Sequence, residues 1–175
     1  IPESVYYLGY KVFAGSAFET ALKSSANEKG TVYANSSVLY TYTGTDSVLV
    51  MNQKGVRSIA GGAFAENSMI KRVEIGGEIY LIGDRAFENC GNLEALALGN
   101  NVQIVRDGAF RGCGNLAVVG QGNESYLRIV GNEAFKDCAK ITSFVFPLYF
   151  SAMGVSAFEG CASLASVSMM TYGPY

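Results

Sequence analysis

Apolar residues recur along this chain in columns that repeat every 23 to 25 residues. The register is set by the dipeptide Ala-Phe, which occurs at residues 63–64, 86–87, 109–110, 134–135 and 157–158. Aligning these copies gives the pattern h-x-x-h-x-x-x-A-F-x-x-C-x-x-L-x-x-h-x-h, where h is apolar. A period in the twenties is typical of a solenoid, in which each unit buries its apolar side only by stacking on its neighbours. We therefore expect a repeat scaffold, whose default function is binding.

The h-x-h segment that ends each unit predicts a short strand. Its period of two sends the marked residues inward and leaves the residues between them facing solvent. The marked pairs are Val73 and Ile75, Leu96 and Leu98, Val119 and Gln121, Phe144 and Phe146, and Val167 and Met169. Only Gln121 breaks the apolar rule. One strand per unit predicts a parallel ladder.

The A-F-x-x-C segment follows a turn rich in Gly, Asp and Asn, which predicts a short helix or 3₁₀ turn on the convex side. Asp84, Asp107 and Asn132 are the expected capping residues of these turns. The alanine lies where neighbouring backbones approach closely, and the phenylalanine fills the interior. The predicted fold is an α/β solenoid of about five units of 23–25 residues, with a parallel strand ladder on one side and helical turns on the other.

The four cysteines follow the same register. Cys90, Cys113, Cys138 and Cys161 are separated by 23, 25 and 23 residues, so each occupies the same place in successive units. This spacing favours a ladder of small buried side chains over a zinc site. A disulfide between adjacent units is compatible with the distance between turns but is disfavoured by parallel Cβ directions.

These columns resemble the BspA-type leucine-rich repeat, found in bacterial and protozoan surface proteins, over about residues 56–170. The motif I-G-x-x-A-F-x-x-C-x-x-L is matched from Ile82-Gly83 through Ala86-Phe87 and Cys90 to Leu93. The chain departs from the family pattern at Asn67, where Cys is expected, at Gln121, and at the strand-ending Pro, which only Pro147 supplies. The resemblance implies a leucine-rich repeat fold, an extracellular or cell-surface location and an adhesin-like role.

Residues 1–55 differ from the repeats in composition and pattern, and they contain six of the eleven tyrosines. The capping-box pattern Ser16-x-x-Glu19 predicts a helix that runs through Ala26. Residues 38–42 and 47–51 flank a Thr-Gly-Thr-Asp turn and predict a hairpin. The first half of the repeat pattern is fitted by Tyr10, Phe13, Ala17, Phe18 and Ala21. We therefore expect a degenerate first repeat and a capping helix and hairpin, continuous with a solenoid of residues 56–175.

Composition narrows the function classes. Thirteen basic and fifteen acidic residues give a net charge of −2 without a Lys/Arg cluster, which argues against nucleic-acid and anionic-membrane binding. No apolar run approaches the roughly 20 residues that span a bilayer. The absence of His removes the commonest general base and metal ligand. The acidic pairs Asp84 with Glu88 and Glu133 with Asp137 lie on the convex turn, where a solvated face is expected. We predict no catalytic, cofactor-binding or metal-binding residues.

The candidate binding surface consists of side chains that the register leaves outside. On the strand face these are Arg72, Glu74, Val118, Ser143, Val145, Ser166 and Ser168, together with Ala95, Ala97 and Gly120. On the edge after the strand, Tyr80, Tyr126 and Tyr149 recur, and aromatic residues are enriched at interfaces and sugar-stacking surfaces. A strand face that has only a structural role and binds nothing is expected to carry the same small residues. The two-residue insertion within residues 120–125 marks a loop on the binding side or tolerated length variation.

Three functions compete at this stage. The leading hypothesis is a non-enzymatic surface or secreted module that binds an extracellular or host protein, as the resemblance implies. The alternatives are a structural spacer in a longer surface protein and a glycan-binding module. The chain after Met169 is too short for a capping element, so an uncapped strand there predicts end-to-end self-association.

Overall fold

The computed structural model describes residues 1–122 and 124–171, which wind into a solenoid of short strands with one short helix. Its elements are α1 Ala17–Lys23, β1 Thr31–Tyr33, β2 Val38–Tyr42, β3 Val48–Met51, β4 Ser58–Ile59, β5 Arg72–Ile75, β6 Leu81–Ile82, β7 Ala95–Leu98, β8 Ile104–Val105, β9 Val118–Gln121, β10 Ile129–Val130, β11 Ser143–Phe146, β12 Ala152–Met153 and β13 Ser166–Met169. The h-x-h segments therefore form strands, as predicted.

Two ladders run along the solenoid. The four-residue strands form the long-strand ladder, in which β3, β5, β7 and β9 pair in parallel and β11 pairs with β13. The two-residue strands form a second parallel ladder with β2, in the order β2, β4, β6, β8, β10 and β12. The described residues thus make six turns: the five units marked by Ala-Phe and a first turn that contains β2 and β3, within residues 1–55, where a degenerate repeat is predicted. The apolar columns account for the long strands, whereas the short-strand ladder was not predicted as a sheet.

The interior is built from like residues stacked on one another. Phe64, Phe87, Phe110 and Phe135 stack with centroids 4.7, 5.1 and 5.3 Å apart and rings within 7° of parallel. Each cysteine thiol donates to a phenylalanine carbonyl of the preceding turn at 3.1 Å. The cysteines are free, so the ladder of buried thiols is confirmed. Asn67, which takes the Cys position, instead accepts from the amides of Met69 and Ile70.

The A-F-x-x-C segment is neither helical nor 3₁₀, contrary to prediction. Its amides bond alternately within a turn and to the next turn: Ala86 donates to Gly83, whereas Phe87 donates to Ala109. This alternation requires a positive φ one residue before Ala and one before Cys, as at Arg85 with φ of 55°. A helix would direct every amide back along its own turn and leave the next turn unbonded. Inter-turn bonding therefore replaces the helix.

The expected helix caps also act between turns. Asp107 accepts from the backbone amide of Asn132 at 2.8 Å, and Asn132 accepts from the amide of Val155 at 2.8 Å. Asp84 accepts from Arg106 at 3.1 Å and from the hydroxyl of Tyr7. Because no helix follows these residues, the prediction that they cap one is wrong.

The N-terminal region forms the first turn and a cap. Ser16 accepts from the amide of Glu19 at 3.0 Å, as the capping box predicts, but α1 ends at Lys23 rather than Ala26. The predicted pairing of residues 38–42 with 47–51 is wrong, because β2 pairs with β1 and β4 while β3 pairs with β5. The hairpin in this region is the antiparallel pair of β1 and β2.

The phenylalanine column continues into the first turn through a tyrosine. Tyr42 lies 5.6 Å from Phe64 and donates its amide to the carbonyl of Ala63, as Phe64 does to Ala86. Phe18, expected in this column, lies on α1 against Phe13 and is 45% exposed. A helical segment cannot supply the inter-turn bonds of the column, so the partner of Phe64 comes from β2 instead.

Residues 5–10 form an arm that packs on the outer side of the short-strand ladder. The hydroxyl of Ser58 donates to the carbonyl of Tyr6 at 2.5 Å, and the amide of Gly61 donates to Leu8 at 2.8 Å. Arginine side chains lie over three tyrosine rings: Arg57 over Tyr6, Arg106 over Tyr7 and Arg85 over Tyr10, at 5.6, 4.8 and 5.2 Å. The arm is thus fixed by contacts between unlike residues.

At the other end, every residue of β13 is exposed, including Val167 and Met169. The prediction of self-association rests on unpaired strand groups and on Met169 and Met170, of which Met169 is exposed and Met170 is half-buried. It stays a prediction. Residues 172–175 lie outside the described residues, so the expectation that they form no cap is untested.

Candidate binding surface

The outer face of the long strands carries the residues that the register predicts to point outward. Parallel pairing aligns Arg72, Ala95 and Val118 in one row and Glu74, Ala97 and Gly120 in a second row. Ser143 and Ser166 begin the pair β11 and β13, followed on the same face by Val145 and Ser168. The strand residues predicted for the surface are exposed or half-buried, so their side chains are available to a partner.

The pattern missed one strand of this face. β3 pairs with β5 so that Val48 lies beside Arg72 and Val50 beside Glu74, and both valines are more than half exposed. The sequence predicts a hairpin for these residues, because no Ala-Phe dipeptide marks their turn. The V-L-V-M alternation, with Leu49 and Met51 buried, is the signal that identifies them as a ladder strand.

The chemistry of this face is that of a flat surface with few charges. Its exposed apolar side chains are the valines Val48, Val50, Val118 and Val145. Arg72 and Glu74 form an exposed ion pair with 2.9 Å between Nε and Oε1, so their charges offset each other. A partner of this face would make apolar contacts close to the backbone and would not be attracted by net charge.

The face is interrupted between β9 and β11, which do not pair. The interruption coincides with the two-residue insertion, of which Asn123 lies outside the described residues. Both side-chain polar atoms of Gln121 are buried there without a hydrogen-bond partner among the described residues. Gln121 therefore destabilises the fold, because its buried polar atoms have lost water without gaining a hydrogen bond.

The three predicted tyrosines are not one cluster. Tyr126 and Tyr149 occupy equivalent places in adjacent turns and stack with centroids 6.4 Å apart and an interplanar angle of 15°. Their side chains are 49% and 57% exposed. Tyr80 belongs to a different column, next to Gln103, and is half-buried in a shallow depression of about 290 Å³. The structure therefore brings together only the first two.

The acidic pairs of the convex turn are not simply a solvated face. Glu88 is buried and paired with Arg111, which also bonds Glu133 at 2.8 Å. Lys136 then links Glu133 to Glu159, at 3.4 and 3.2 Å. The hydrogen bond from Arg111 lowers the pKa of Glu133. These carboxylates join successive turns, which places Glu88 in the scaffold and corrects its predicted exposure.

The cysteines are not poised for chemistry. Hydrogen bonding to the neighbouring thiol and burial raise the pKa of Cys90 and of Cys113, and burial raises that of Cys161. A raised pKa keeps the thiol protonated, so these groups are poor nucleophiles. Within the described ranges, no three His, Cys, Asp or Glu side chains are grouped to hold a metal ion, and no helix is long and apolar enough to cross a membrane.

The fold defines a leucine-rich repeat solenoid. The profile of the BspA type Leucine rich repeat region, in six copies, matches residues 1–117 and 36–165. The chain therefore belongs to the BspA-type leucine-rich repeat family, and the resemblance seen in its motifs is confirmed. No curated protein sequence gives a significant match.

Solved bacterial structures share the fold. A leucine-rich repeat protein of T. pallidum is 26% identical with a TM-score of 0.73, over 81% of this chain and 70% of that one. The pneumococcal vaccine antigen PcpA is 20% identical with a TM-score of 0.57, over 73% of this chain. A leucine rich cell surface protein from Faecalibacterium prausnitzii is 20% identical with a TM-score of 0.54, over 85%. The matches span only 30% and 49% of the last two proteins.

Proposed function

We propose that this chain is a non-enzymatic binding module of a secreted or cell-surface protein, and that it binds a protein partner through the outer face of its long strands. The observation that carries the proposal is the set of exposed valines on that face, from Val48 and Val50 through Val118 to Val145. Exposed apolar side chains grouped on one face mark interaction sites on soluble domains. The small neighbouring residues Ala95 and Ala97 allow a partner to approach the backbone closely.

Two further observations support this role. The face extends along successive turns, which is the geometry that solenoids use for extended binding surfaces. Two of the similar structures belong to proteins described as a vaccine antigen and a cell surface protein. The extracellular location and the protein partner are carried to this chain as parts of the proposal.

The test compares one substitution on two faces of the solenoid. Val118→Lys places a charge on the long-strand face, and Ile129→Lys places one at an exposed position of the short-strand ladder. Binding is measured by biolayer interferometry against a panel of purified extracellular-matrix and serum proteins. We expect a partner whose affinity falls at least tenfold with Val118→Lys and stays within twofold with Ile129→Lys. Absence of any binder, or equal effects of both substitutions, contradicts the proposal, and the former favours a structural spacer.

The stacked pair Tyr126 and Tyr149 favours glycan binding as a second candidate. Two exposed, nearly parallel rings on adjacent turns present apolar faces on which sugar rings can stack. A glycan array tests this with the unaltered chain and with Tyr149→Ala, using Tyr80→Ala as the control. Signals that disappear only with Tyr149→Ala support the candidate, and an array without signals excludes it for the glycans present.

A further inference from the structure

The two ladders have unequal numbers of strands at the N-terminal end of the solenoid. β2 and β3 belong to the same turn, since each pairs with the corresponding strand of the next turn. Beyond β2 the short-strand ladder continues with β1, but beyond β3 the long-strand ladder has no strand among the described residues. A place one strand wide is therefore left beside β3, opposite β1.

A cleft of about 450 Å³ occupies this place. Its volume lies within the roughly 300–1,000 Å³ typical of ligand pockets. Leu39, Leu49 and Phe64 are among its apolar lining residues and belong to the solenoid core, whereas Tyr33 of β1 lines it from the cap. The cleft thus gives an outside group direct access to the end of the core.

The backbone of β3 offers unpaired hydrogen-bonding groups to this cleft. Arg72 donates to the carbonyl of Ser47, and Gly76 donates to the carbonyl of Met51. Backbone bonding alternates along a parallel strand, so the N–H and C=O groups of Leu49 and Met51 point toward β5. The N–H and C=O groups of Val48 and Val50 point away from β5. None of the hydrogen bonds of the described chain engages these groups. β3 is therefore an open edge of the kind that accepts another strand.

The charges around the cleft indicate which strand it prefers. Glu28, Lys29 and Asp46 line it, and no ion pair among residues 1–122 and 124–171 engages them. Two carboxylates and one ammonium leave one net negative charge. A basic residue beside the inserted segment complements that charge, and apolar side chains at alternate positions complement the lining.

We propose that the cleft beside β3 binds an extended peptide by strand addition, with its backbone bonded to Val48 and Val50. Alternate apolar side chains of the peptide pack over Leu49 and Phe64, and a Lys or Arg of the peptide lies near Glu28 and Asp46. This site shares Val48 and Val50 with the outer face, but it uses their backbone groups rather than their side chains. The hexapeptide tests the cleft and Val118→Lys tests the outer face, so either proposal can fail while the other holds.

The test uses a fluorescein-labelled hexapeptide, Lys-Arg-Val-Glu-Ile-Gly, which has the sequence of residues 71–76. In the fold this segment contains β5 and pairs with the other edge of β3, so its side-chain alternation suits a strand of this ladder. Val50→Pro removes the outward N–H while sparing the bonds to β5, and Val50→Thr retains that N–H with a side chain of similar shape. We expect fluorescence anisotropy to show binding that weakens at least tenfold with Val50→Pro and stays within twofold with Val50→Thr. Equal binding by both variants, or none by the unaltered chain, overturns the proposal.

Hydrogen exchange on the unaltered chain decides the matter even where Val50→Pro fails to fold, as circular dichroism would show. Saturating hexapeptide should slow exchange of the Val48 and Val50 amides at least tenfold. The matched control is β13, which has no partner among the described residues on the side away from β11. The amides of Val167 and Met169 face that side, and none of these residues line the cleft beside β3. Protection at Val167 and Met169 instead of β3, or at neither strand, contradicts the proposal.

Discussion

The repeat region and the N-terminal cap hold themselves together in different ways. From residue 56 onward, phenylalanine packs on phenylalanine and each cysteine repeats the bond of the one before it. In residues 1–55 the contacts join unlike residues, such as Tyr7 with Asp84 and Arg106. The repeat region therefore gains stability from many equivalent contacts between turns, whereas the cap depends on a few specific ones.

The largest expected effect separates a phenylalanine of the stack from one of the cap. Phe110→Ala removes a buried ring that stacks on both neighbours and should cost about 3–5 kcal/mol of unfolding free energy. Phe18→Ala, on the partly exposed helix α1, should cost about 1 kcal/mol or less. Urea denaturation followed by circular dichroism measures both. Equal losses would show that the two regions do not differ as described.

A smaller change in unfolding free energy, this time stabilising, is expected at Gln121, the one polar residue in the apolar columns of the repeats. Gln121→Leu restores the apolar column and removes two buried polar atoms that lack partners, so it should stabilise the fold by about 1–2 kcal/mol. Gln103→Leu, outside the inward columns, is the control and should change stability by less than about 0.5 kcal/mol. Thermal unfolding of both variants checks this. Destabilisation by Gln121→Leu would mean that its amide has an essential partner.

A single contact of the cap is tested by Tyr7→Phe. The change removes the hydroxyl that donates to Asp84 but keeps the ring beneath Arg106. Since one hydrogen bond contributes about 0.5–1.5 kcal/mol, a loss in that range is expected, accompanied by faster exchange of the Gly61 amide. Tyr6→Phe, whose hydroxyl is in none of the described hydrogen bonds, is the control. Unchanged exchange at Gly61 would show that Tyr7 does not hold the arm.

The last effect does not appear at neutral pH: it is a dependence on alkaline pH that is confined to the cap. Burial and the hydrogen bond to Asp84 raise the pKa of Tyr7 to about 12, and burial and Glu19 raise that of Tyr40 to about 12. Both are neutral in the fold at pH 10, so the stability they add is present below pH 10 and is lost as the pH rises toward 12. Burial also raises the pKa of Tyr33 and of Tyr42. Ultraviolet titration of tyrosinate should therefore show a group of late-titrating tyrosines, with one fewer in Tyr7→Phe.

The fold was predictable wherever one residue repeats the environment of another. The columns containing Phe87, Cys113 and Leu96 predicted interior positions because every turn needs the same side chain at the same place. The A-F-x-x-C segment was misjudged as helical because its alternating bonds depend on positive φ one residue before Ala and one before Cys. Asn89 and Gly112 are residue types that favour positive φ, but Arg85 is not, so the requirement shows only when equivalent positions of all turns are compared. The pairing of β3 was missed because the V-L-V-M alternation does not identify its partner.

The candidate surface was predictable only in part, because the pattern within one strand gives the outward residues but not their neighbours in other turns. Alternation along β5, β7 and β9 places Arg72, Glu74 and Val118 outside once the inward positions are known. Whether neighbouring aromatics meet depends on the column that each occupies. Tyr126 and Tyr149 share a column and stack, whereas Tyr80 is two positions removed. The cleft beside β3 arises from unequal ladders, which no local pattern in the sequence reveals.

Native-state hydrogen exchange by NMR tests the contrast between the two regions most directly. The amide of Phe110 donates to Ala134 within the stack, and the amide of Gly61 donates to Leu8 of the arm. We predict that Phe110 exchanges only through global unfolding, while Gly61 exchanges through release of the arm at a free energy lower by about 2 kcal/mol or more. Equal opening free energies at the two amides would contradict the view that the cap and the repeats are stabilised differently.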